Sequence, residues 1–200
     1  MEVHFDSKCQ VVGGYISHYL LEKSRICVQS PEERNYHVFY LLCAGAPEKL
    51  RKDLNVTNPD DFRYLNKGCT QYFTNSSTEK KLNNNQKSEA HQKKGSLKDP
   101  MLDDIQDFTN MDQALSRLGL SDKDKLDIYT IVAAVLHLGN VTFEDNPEDT
   151  KGGCQVCARS EKSLAIAAGL MGVDKGELRQ ALVSKVMMTS RGGMKGTVIM

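Results

Sequence analysis

The stretch that decides the fold is SPEERNYHVFYLLCAG, residues Ser30 to Gly45. Ser30 and Glu33 have the spacing of a reciprocal capping box at the start of a helix. A proline between them suits the first helical turn, and Gly45 is a typical C-terminal stop. The pattern therefore predicts one helix over the whole stretch, with these residues on its buried face: Tyr36, Phe39, Tyr40 and Cys43.

The composition is that of a globular domain without electrostatic bias. The chain has 200 residues, 40% of them hydrophobic, with 26 basic and 26 acidic side chains. This balance gives no overall attraction to nucleic acid or to a membrane surface. No apolar run approaches the roughly 20 residues that span a bilayer, and the N-terminal stretch lacks the regions of a signal peptide. A cytosolic location is therefore expected, with no membrane insertion.

The six cysteines are expected to be free thiols, as is usual in a reducing compartment. Only Cys154 and Cys157 have the spacing of metal ligands. A zinc site usually needs a second pair of ligands, and the sequence offers none. No metal site is predicted, and the run GGCQVC is interpreted as a loop followed by a short strand.

The rest of the chain is predicted to be mainly helical, with strands at both ends. The runs EVHF and CQVV predict a hairpin, and YISHYL and SRICV predict two more strands. A short helix is predicted over 47–54, and four later helices are predicted from their caps at Asn110, Ser121, Ser160 and Asp174. Two β-prone arms, 186–189 and 197–200, flank a glycine-rich turn. The expected fold class is α+β.

Residues 74–98 are polar, rich in lysine and poor in large apolar side chains. Such a segment buries too little apolar surface to offset its ordering entropy, so it is predicted to be a flexible surface insert. Its lysines raise the alternative of nucleic-acid contact. The absence of arginine and of aromatic residues for base stacking favours a solvated loop.

No catalytic motif is present in the sequence. It contains no G-x-x-x-x-G-K-[ST] phosphate loop, no G-x-S-x-G elbow and no H-E-x-x-H pair. The five histidines are spread along the chain without a matched acid or nucleophile nearby. The motifs alone leave the chemistry open.

Four stretches, in this order, resemble the motor domain of myosins: YLLEKSRICVQSPEERNYHVFYLLCAGA at 19–46, DFRYLN at 61–66, IVAAVLHLGNVTF at 131–143 and KGTVI at 195–199. The resemblance covers the whole chain, which corresponds to the upper 50-kilodalton subdomain of the motor. The myosin motor domain is a member of the P-loop NTPase superfamily. The insert leading into GSLKDPMLDD and the run GGCQV are most similar to class VI myosins.

This resemblance implies a segment of an actin-based, ATP-driven and minus-end-directed motor, associated with the cytoskeleton. ATP and Mg²⁺ would serve the complete motor, and none is expected to be bound by this segment alone. The phosphate loop and both switches of the family lie outside these residues, so no catalytic residue is expected here and the segment alone should be inactive. Met1 is expected to be an internal residue or a misplaced start.

The resemblance also implies two groups of residues near the nucleotide. The Ser30–Gly45 helix lies behind the nucleotide site in this family, which makes Glu33 and Arg34 candidates for supporting the pocket. The alternative is a helix cap with a surface ion pair, which would stabilise little. In the class insert, about Cys69 to Asp104, three apolar residues are expected to obstruct the nucleotide path: Pro100, Met101 and Leu102.

The C-terminal hairpin, 186–200, corresponds to an actin-binding loop of the family. Its expected actin contacts are Met187, Met188, Arg191, Met194 and Lys195. Thr197 lies at a position where myosins carry an acidic or a phosphorylatable residue. Phosphorylation there would add about −1.5 to −2 charges. The alternative is an unregulated β-branched strand residue.

The resemblance divides the chain into five parts: strands of the central sheet region at 1–29, a helical part at 30–68, the class insert at 69–104, a helical subdomain at 105–185 and the actin-binding hairpin. The expected partner is the actin filament. Calmodulin-type light chains and cargo adaptors would bind only regions outside this chain. A non-catalytic actin-binding module without motor activity is the alternative function.

Overall fold

The structure is a computed structural model that describes residues 1–17, 19–148, 152–188 and 195–199, with side chains described as far as residue 184. The helices are α1 (His37–Gly45), α2 (Glu48–Asp53), α3 (Glu89–Lys94), α4 (Asp104–Arg117), α5 (Asp122–Gly139), α6 (Glu161–Met171) and α7 (Lys175–Val183). The strands are β1 (Glu2–Phe5), β2 (Val11–Tyr15), β3 (Phe143–Asp145), β4 (Cys154–Val156), β5 (Ser184–Met188) and β6 (Lys195–Ile199).

These strands form three separate antiparallel pairs, β1 with β2, β3 with β4, and β5 with β6. Short 3₁₀ turns cover Lys23–Ile26, Pro59–Asp61, Glu79–Lys81 and Ala158–Ser160. The expectation of a mainly helical α+β fold is confirmed for the described residues. None of the helices in these residues combines the length and apolarity needed to cross a bilayer.

The helix predicted over Ser30 to Gly45 begins only at His37. The N–H of Glu33 donates to the backbone oxygen of Ser30 in an isolated turn, so the predicted capping box is wrong. The physical reason lies in Asn35, which is buried and whose side-chain amide donates to the carbonyl oxygens of Ile26 and Tyr64, at 3.0 and 2.8 Å. These long-range bonds hold the preceding segment outside the helix and override its local helix signals.

The core forms around α1, which is buried on nearly all sides rather than along one stripe. Six of its nine residues are buried: Phe39, Tyr40, Leu41, Leu42, Cys43 and Ala44. Helices α4 and α5 pack against it, and the rings of Phe108 and Tyr129 meet between them at a centroid distance of 5.4 Å. Further buried side chains of this core come from 54–72: Leu54, Val56, Phe62, Leu65 and Tyr72.

The N-terminal strand predictions are confirmed only for the hairpin. Strand β2 continues through two glycines to Tyr15, and none of the described residues from 16 to 28 is in a strand. The run SRICV, predicted as a strand, lies mostly in the 3₁₀ turn Lys23–Ile26. Arg25 pairs there with Glu22 three residues earlier, with Nε and Oε2 2.7 Å apart, a local contact that favours a helical turn.

The lysine-rich segment is folded, which contradicts the prediction of a flexible insert. It contains the 3₁₀ turn Glu79–Lys81 and helix α3, and several of its polar side chains are buried: Thr74, Thr78, Gln86, Ser88 and His91. The amide of Gln86 donates to the backbone oxygens of Cys43 and Ala44 at the end of α1, at 3.2 and 3.1 Å. Hydrogen bonds to the core therefore order a segment that has little apolar surface.

Two of the four later N-caps predicted from the sequence, Ser121 and Asp174, make their cap bonds. Ser160 precedes α6 without a side-chain cap bond, because its hydroxyl accepts the N–H of Thr142 instead. Ser121 and Asp124 form the predicted capping box, Asp174 accepts the N–H of Glu177, and Gly172 ends α6 in the left-handed conformation. The start predicted at Asn110 is wrong, because α4 begins at Asp104 and Asn110 lies within it.

The apolar residues of helix α5 are not all buried. Leu126 is 45% exposed and Ile131 is 63% exposed, whereas Ala133 and Leu136 are fully buried. Helix α5 therefore has one buried face against α1 and α6 and one face of exposed aliphatic side chains.

Gly45 lies where α1 crosses the start of α4, and its missing side chain permits that approach. A Cβ at this position would clash with the Cβ of Phe108 and would lie 2.9 Å from the backbone oxygen of Asp104. We expect Gly45→Ala to lower the free energy of unfolding by about 1–3 kcal/mol, because the crossing would be overpacked.

The matched control is Gly169→Ala in the last turn of α6, where a Cβ would meet no atom within 4 Å. We expect this change to raise the free energy of unfolding by up to about 1 kcal/mol, since alanine is the better helix former. Urea denaturation of the chain measures both changes. Equal effects of the two substitutions would contradict the close α1–α4 crossing.

Candidate functional site

Arg34 lies in the extended segment before α1 and reaches into the core. Its Nη2 atom is 2.8 Å from Oδ1 of Asp104, the first residue of α4. The two side chains are 6% and 2% exposed, so this is a buried ion pair between residues 70 positions apart in the sequence. The alternative of a surface ion pair is therefore wrong for Arg34.

The carboxylate of Asp104 also fixes the strand-like segment around Phe73. Its Oδ2 atom accepts the N–H of Phe73 at 2.8 Å, and the N–H of Asp104 donates to the backbone oxygen of Phe73 at 2.8 Å. Burial raises the pKa of Asp104, and the guanidinium of Arg34 opposes that shift. The ion pair and the hydrogen bonds thus compensate a carboxylate that has lost its water.

The guanidinium of Arg34 is also enclosed by aromatic rings. Its Cζ atom is 3.9 Å from the ring centroid of Tyr40 and 4.7 Å from that of Phe73, which is cation–π geometry. Its Nε and Nη1 atoms are buried without a hydrogen-bond acceptor among the described residues. Arg34 is therefore a fixed cation. We name Arg34, Tyr40, Phe73 and Asp104 the Arg34 cluster.

Glu33 lies outside this cluster. Its side chain is exposed, and Oε2 is 3.5 Å from Nη1 of Arg25. Only the backbone takes part in the core, since the carbonyl oxygen of Glu33 accepts the N–H of Cys69 at 2.8 Å. The structure therefore gives different surroundings to Glu33 and Arg34, which the sequence analysis had assigned to one role. The side chain of Glu33 has the surface ion pair of the alternative interpretation.

Residues 98–102 form a short loop that ends next to the Arg34 cluster. Pro100 is exposed, Met101 is 87% exposed and Leu102 is partly buried. The carboxylate of Asp99 accepts the N–H of Met101 at 2.8 Å and folds the loop on itself. The structure thus links Arg34 to the loop that carries Met101, two features that the sequence analysis placed near the nucleotide separately. The link is Asp104, which follows this loop by two residues and pairs with Arg34.

A second polar cluster lies inside the lysine-rich segment, around Glu79. Its carboxylate is 2.6 Å from Nζ of Lys87 and accepts the hydroxyl of Thr74 at 2.6 Å. Nε2 of His91 is 3.1 Å from the same carboxylate, and Nδ1 of this ring accepts the N–H of Tyr72 at 3.1 Å. Because Nδ1 is an acceptor, the neutral ring carries its proton on Nε2.

The C-terminal arms form the predicted hairpin. Strands β5 and β6 pair so that Val186 is opposite Thr197, Met187 opposite Gly196 and Met188 opposite Lys195. Arg191 and Met194 lie outside the described residues. The backbone therefore places Thr197 within the strand and Lys195 at its first position.

Comparison with known proteins identifies the family. The sequence profile of the myosin head (motor domain) matches residues 1–199. The chain belongs to the myosin motor domain family. It is 66% identical over 200 residues to myosin heavy chain 95F of Drosophila melanogaster and 55% identical over 199 residues to unconventional myosin-VI of Bos taurus.

These alignments cover 100% of the chain but only 16% and 15% of the two relatives, so the chain spans about one sixth of their length. The myosin IB heavy chain of Dictyostelium discoideum is 33% identical over 195 residues, which are 98% of the chain and 15% of that protein. The myosin interpretation is confirmed, and the chain is more similar to the class VI proteins than to this class I heavy chain.

Sequence reasoning missed the residues that hold the site together. Asp103 could have been found, because an aspartate before a helical pattern is a cap signal, and its carboxylate accepts the N–H groups of Ile105 and Gln106. The partners of Arg34 carry no such local signal. Asp104 and Phe73 lie far from it in sequence, and only the fold brings them together.

The Glu79 cluster generates a prediction about acid stability. Burial of Glu79 raises its pKa, but the hydrogen bonds from Lys87, Thr74 and His91 outweigh this and lower the pKa from 4.5 to about 2. A carboxylate with a depressed folded pKa stabilises the fold above its unfolded pKa and loses that contribution as the pH falls toward the folded value. The window for Glu79 is therefore about pH 4.5 to 2.

We expect Glu79→Gln to destabilise the chain at pH 7 and to flatten the loss of stability between pH 4.5 and pH 3. Urea denaturation across this range measures both effects. Glu89→Gln is the control, because its side chain is 80% exposed and, within the described part of the chain, forms an ion pair only with Lys93 four residues later. Parallel pH profiles for the wild type and Glu79→Gln would contradict the assigned role of the carboxylate.

Proposed function

We propose that the chain is a segment of an actin-based, ATP-driven motor of class VI type, from the upper 50-kilodalton subdomain of a P-loop NTPase head. The observation that carries this proposal is the identity of 66% and 55% to class VI proteins over the full chain. In this proposal the motor is cytoplasmic and associated with the actin cytoskeleton. Light chains and cargo adaptors bind other parts of the motor.

A test of the proposal uses the complete motor head that contains this segment. Its Mg-ATPase is expected to rise severalfold or more with added actin filaments, and the head is expected to move along actin toward the minus end. A head that binds actin without actin-activated turnover would instead be a non-catalytic binding module.

The Arg34 cluster is proposed to support the nucleotide pocket from behind. Arg34 links the segment before α1 to the start of α4. Its 2.8 Å ion pair with Asp104 and its contact with the ring of Tyr40 restrict the movement of the guanidinium. A buried cation held by one carboxylate and two rings acts as a rigid brace for neighbouring loops. Glu33, with its exposed side chain, is proposed to contribute through its backbone bond to Cys69.

ATP and Mg²⁺ are proposed to be held by other parts of the motor. Among the described residues, no group of three or more His, Cys, Asp or Glu side chains is placed to hold a metal ion. No direct contact with Mg²⁺ is proposed for these described residues. Their proposed role is to border the path by which the nucleotide enters and leaves.

The loop 98–102 is the part of the insert proposed to obstruct that path. Pro100 and Met101 project into solvent, and Leu102 lies partly buried at the base of the loop. Methionine is unbranched and apolar, so it can act as a steric obstacle without a hydrogen-bond partner. Met101 is 87% exposed and is the residue proposed to contact the entering nucleotide.

We expect Met101→Gly in the complete motor to speed ATP binding severalfold, because the obstructing side chain is removed. Stopped-flow measurement of the second-order rate constant tests this. Met101→Leu keeps the volume and is expected to leave the rate unchanged, and Met101→Ala separates loss of bulk from the added freedom of glycine. Unchanged binding rates in both Met101→Gly and Met101→Ala would overturn the obstructing role.

The hairpin formed by β5 and β6 is proposed to contact the actin filament. The proposed contact residues are Met187, Met188, Arg191, Met194 and Lys195. Methionines suit an adaptable apolar contact, and the two cations suit an acidic partner surface. Thr197, opposite Val186 in the sheet, is proposed as a phosphorylation site, where the added negative charge would change the contact with actin.

We expect Arg191→Glu and Lys195→Glu to weaken actin binding of the complete motor and to reduce its dependence on salt, because each reverses a charge proposed to face actin. Cosedimentation with actin filaments at two salt concentrations measures this. Lys80→Glu in the 3₁₀ turn of the insert is the control for the change in net charge. A loss of affinity of the same size in the control would contradict a specific role of the hairpin.

A further inference from the structure

We propose that Asp103, Thr78 and Asn75 form a positioning device that holds the loop 98–102 in its obstructing place. This inference rests on the proposed role of that loop. It assigns a function to the lysine-rich segment, which the sequence predicted to be a flexible surface insert. Thr78 and Asn75 belong to that segment, and Asp103 is the residue between the loop and α4.

Asp103 uses its two carboxylate oxygens for two different tasks. Oδ1 accepts the N–H groups of Ile105 and Gln106, at 3.1 and 3.0 Å, and so caps α4. Oδ2 accepts the hydroxyl of Thr78 at 2.6 Å and the side-chain amide of Asn75 at 2.8 Å. One side chain therefore ties the helix that follows the loop to the lysine-rich segment.

Thr78 is the buried member of this device, with 4% of its surface exposed. Its hydroxyl donates to Asp103 and accepts the N–H of Asn75 at 3.0 Å. The side-chain oxygen of Asn75 accepts in turn the N–H groups of Ser77 and Thr78, at 2.8 and 3.0 Å. A tight turn thus presents three donors to one carboxylate oxygen, namely the hydroxyl of Thr78 and both the backbone and the side-chain N–H groups of Asn75. Hydrogen bonds to a charged acceptor are the stronger kind.

Both ends of the loop are fixed to the same short segment of backbone. The N–H of Leu97 donates to the backbone oxygen of Tyr72, and the N–H of Asp104 donates to that of Phe73, each at 2.8 Å. Six residues, 98–103, bridge these two anchors, and Met101 lies at their exposed tip. With the ends fixed, the bonds from Asp103 to the lysine-rich segment set the direction in which the loop leaves the core.

The effect on nucleotide entry depends on how often the loop occupies its obstructing position. A side chain held in one place obstructs the path almost all the time, whereas a loop with several positions leaves the path open for part of the time. Loosening the device should therefore speed ATP binding even though Met101 is unchanged.

Thr78→Val in the complete motor tests this inference, because valine keeps the shape of threonine and removes the hydroxyl. Thr78→Ser keeps the hydroxyl and is the rescuing variant. Ser76→Ala is the matched control, since the side chain of Ser76 is exposed in the same turn and Ser76 is not a member of the device. Met101→Gly is measured beside them to report on the obstructing role itself.

Two readouts separate positioning from general stability. Hydrogen exchange of the amides of Asp99, Met101 and Leu102 is expected to be about tenfold faster in Thr78→Val, the factor that corresponds to one lost bond to a charged group. Exchange in α5 is expected to stay at its wild-type rate. The second-order rate constant of ATP binding is expected to rise severalfold in Thr78→Val, in the direction of Met101→Gly, with Thr78→Ser and Ser76→Ala at wild-type values.

The outcomes distinguish this inference from the proposed function. If Met101→Gly speeds ATP binding and Thr78→Val does not, the positioning device is overturned and the obstructing role of the loop stands. If Met101→Gly has no effect on ATP binding, the proposed obstruction fails, and the inference fails with it. Faster exchange throughout the core in Thr78→Val would show a structural role only and would also overturn the inference.

Asp103→Asn gives a second variant should Thr78→Val fail to fold. Asparagine caps helices about as well as aspartate, so α4 can keep its cap through the remaining carbonyl oxygen. The amide nitrogen that replaces the second oxygen cannot accept a hydrogen bond from Thr78 or Asn75. The same faster exchange of the loop and faster ATP binding are expected, and wild-type values of both would overturn the inference.

Discussion

The buried ion pair between Arg34 and Asp104 is the constraint on which the rest of this structure depends. It joins the segment before α1 to the start of α4, at a distance of 2.8 Å and with both side chains nearly inaccessible to water. Removing one partner of such a pair typically costs about 3–5 kcal/mol, because the other charge stays buried and uncompensated. Arrangements that separate these two residues are therefore strongly disfavoured. The close crossing of α1 and α4 at Gly45 and the anchoring of Phe73 both follow from the pair being formed.

The folded lysine-rich segment shows how a polar sequence can be ordered without an apolar core of its own. Composition rules weigh apolar burial against chain entropy and predict disorder for residues 74–98. The segment instead buries polar side chains that are satisfied by one another or by the end of α1, as the Glu79 cluster and Gln86 show. The lysine side chains at 80, 81, 93 and 94 face solvent, so their number says little about the interior. A fully bonded polar network is more stable than its separate contacts suggest.

The sequence predicted well the features whose cause is local. Ser121, Asp174 and Gly172 act through residues within four positions, and the structure has them as caps or stops. Ser30 carried signals of the same strength and failed as a cap, because Asn35 is held by carbonyl groups from other parts of the chain. The same limit applies to the candidate site. Arg34 could be singled out by its presence in a conspicuous motif, whereas its partner is 70 residues away and was found only in the fold.

The two adjacent aspartates that end the loop illustrate how the core and the loop are mechanically joined. Asp103 has the extended conformation of a cap and turns its side chain toward the lysine-rich segment, whereas Asp104 is the first helical residue and turns its side chain inward to Arg34. A helix start is the place where neighbouring side chains diverge in this way, because the backbone changes conformation between them. A shift of α4 relative to α1 would therefore move both carboxylates together. The position of Met101 and the packing around Arg34 are thus two results of one backbone geometry.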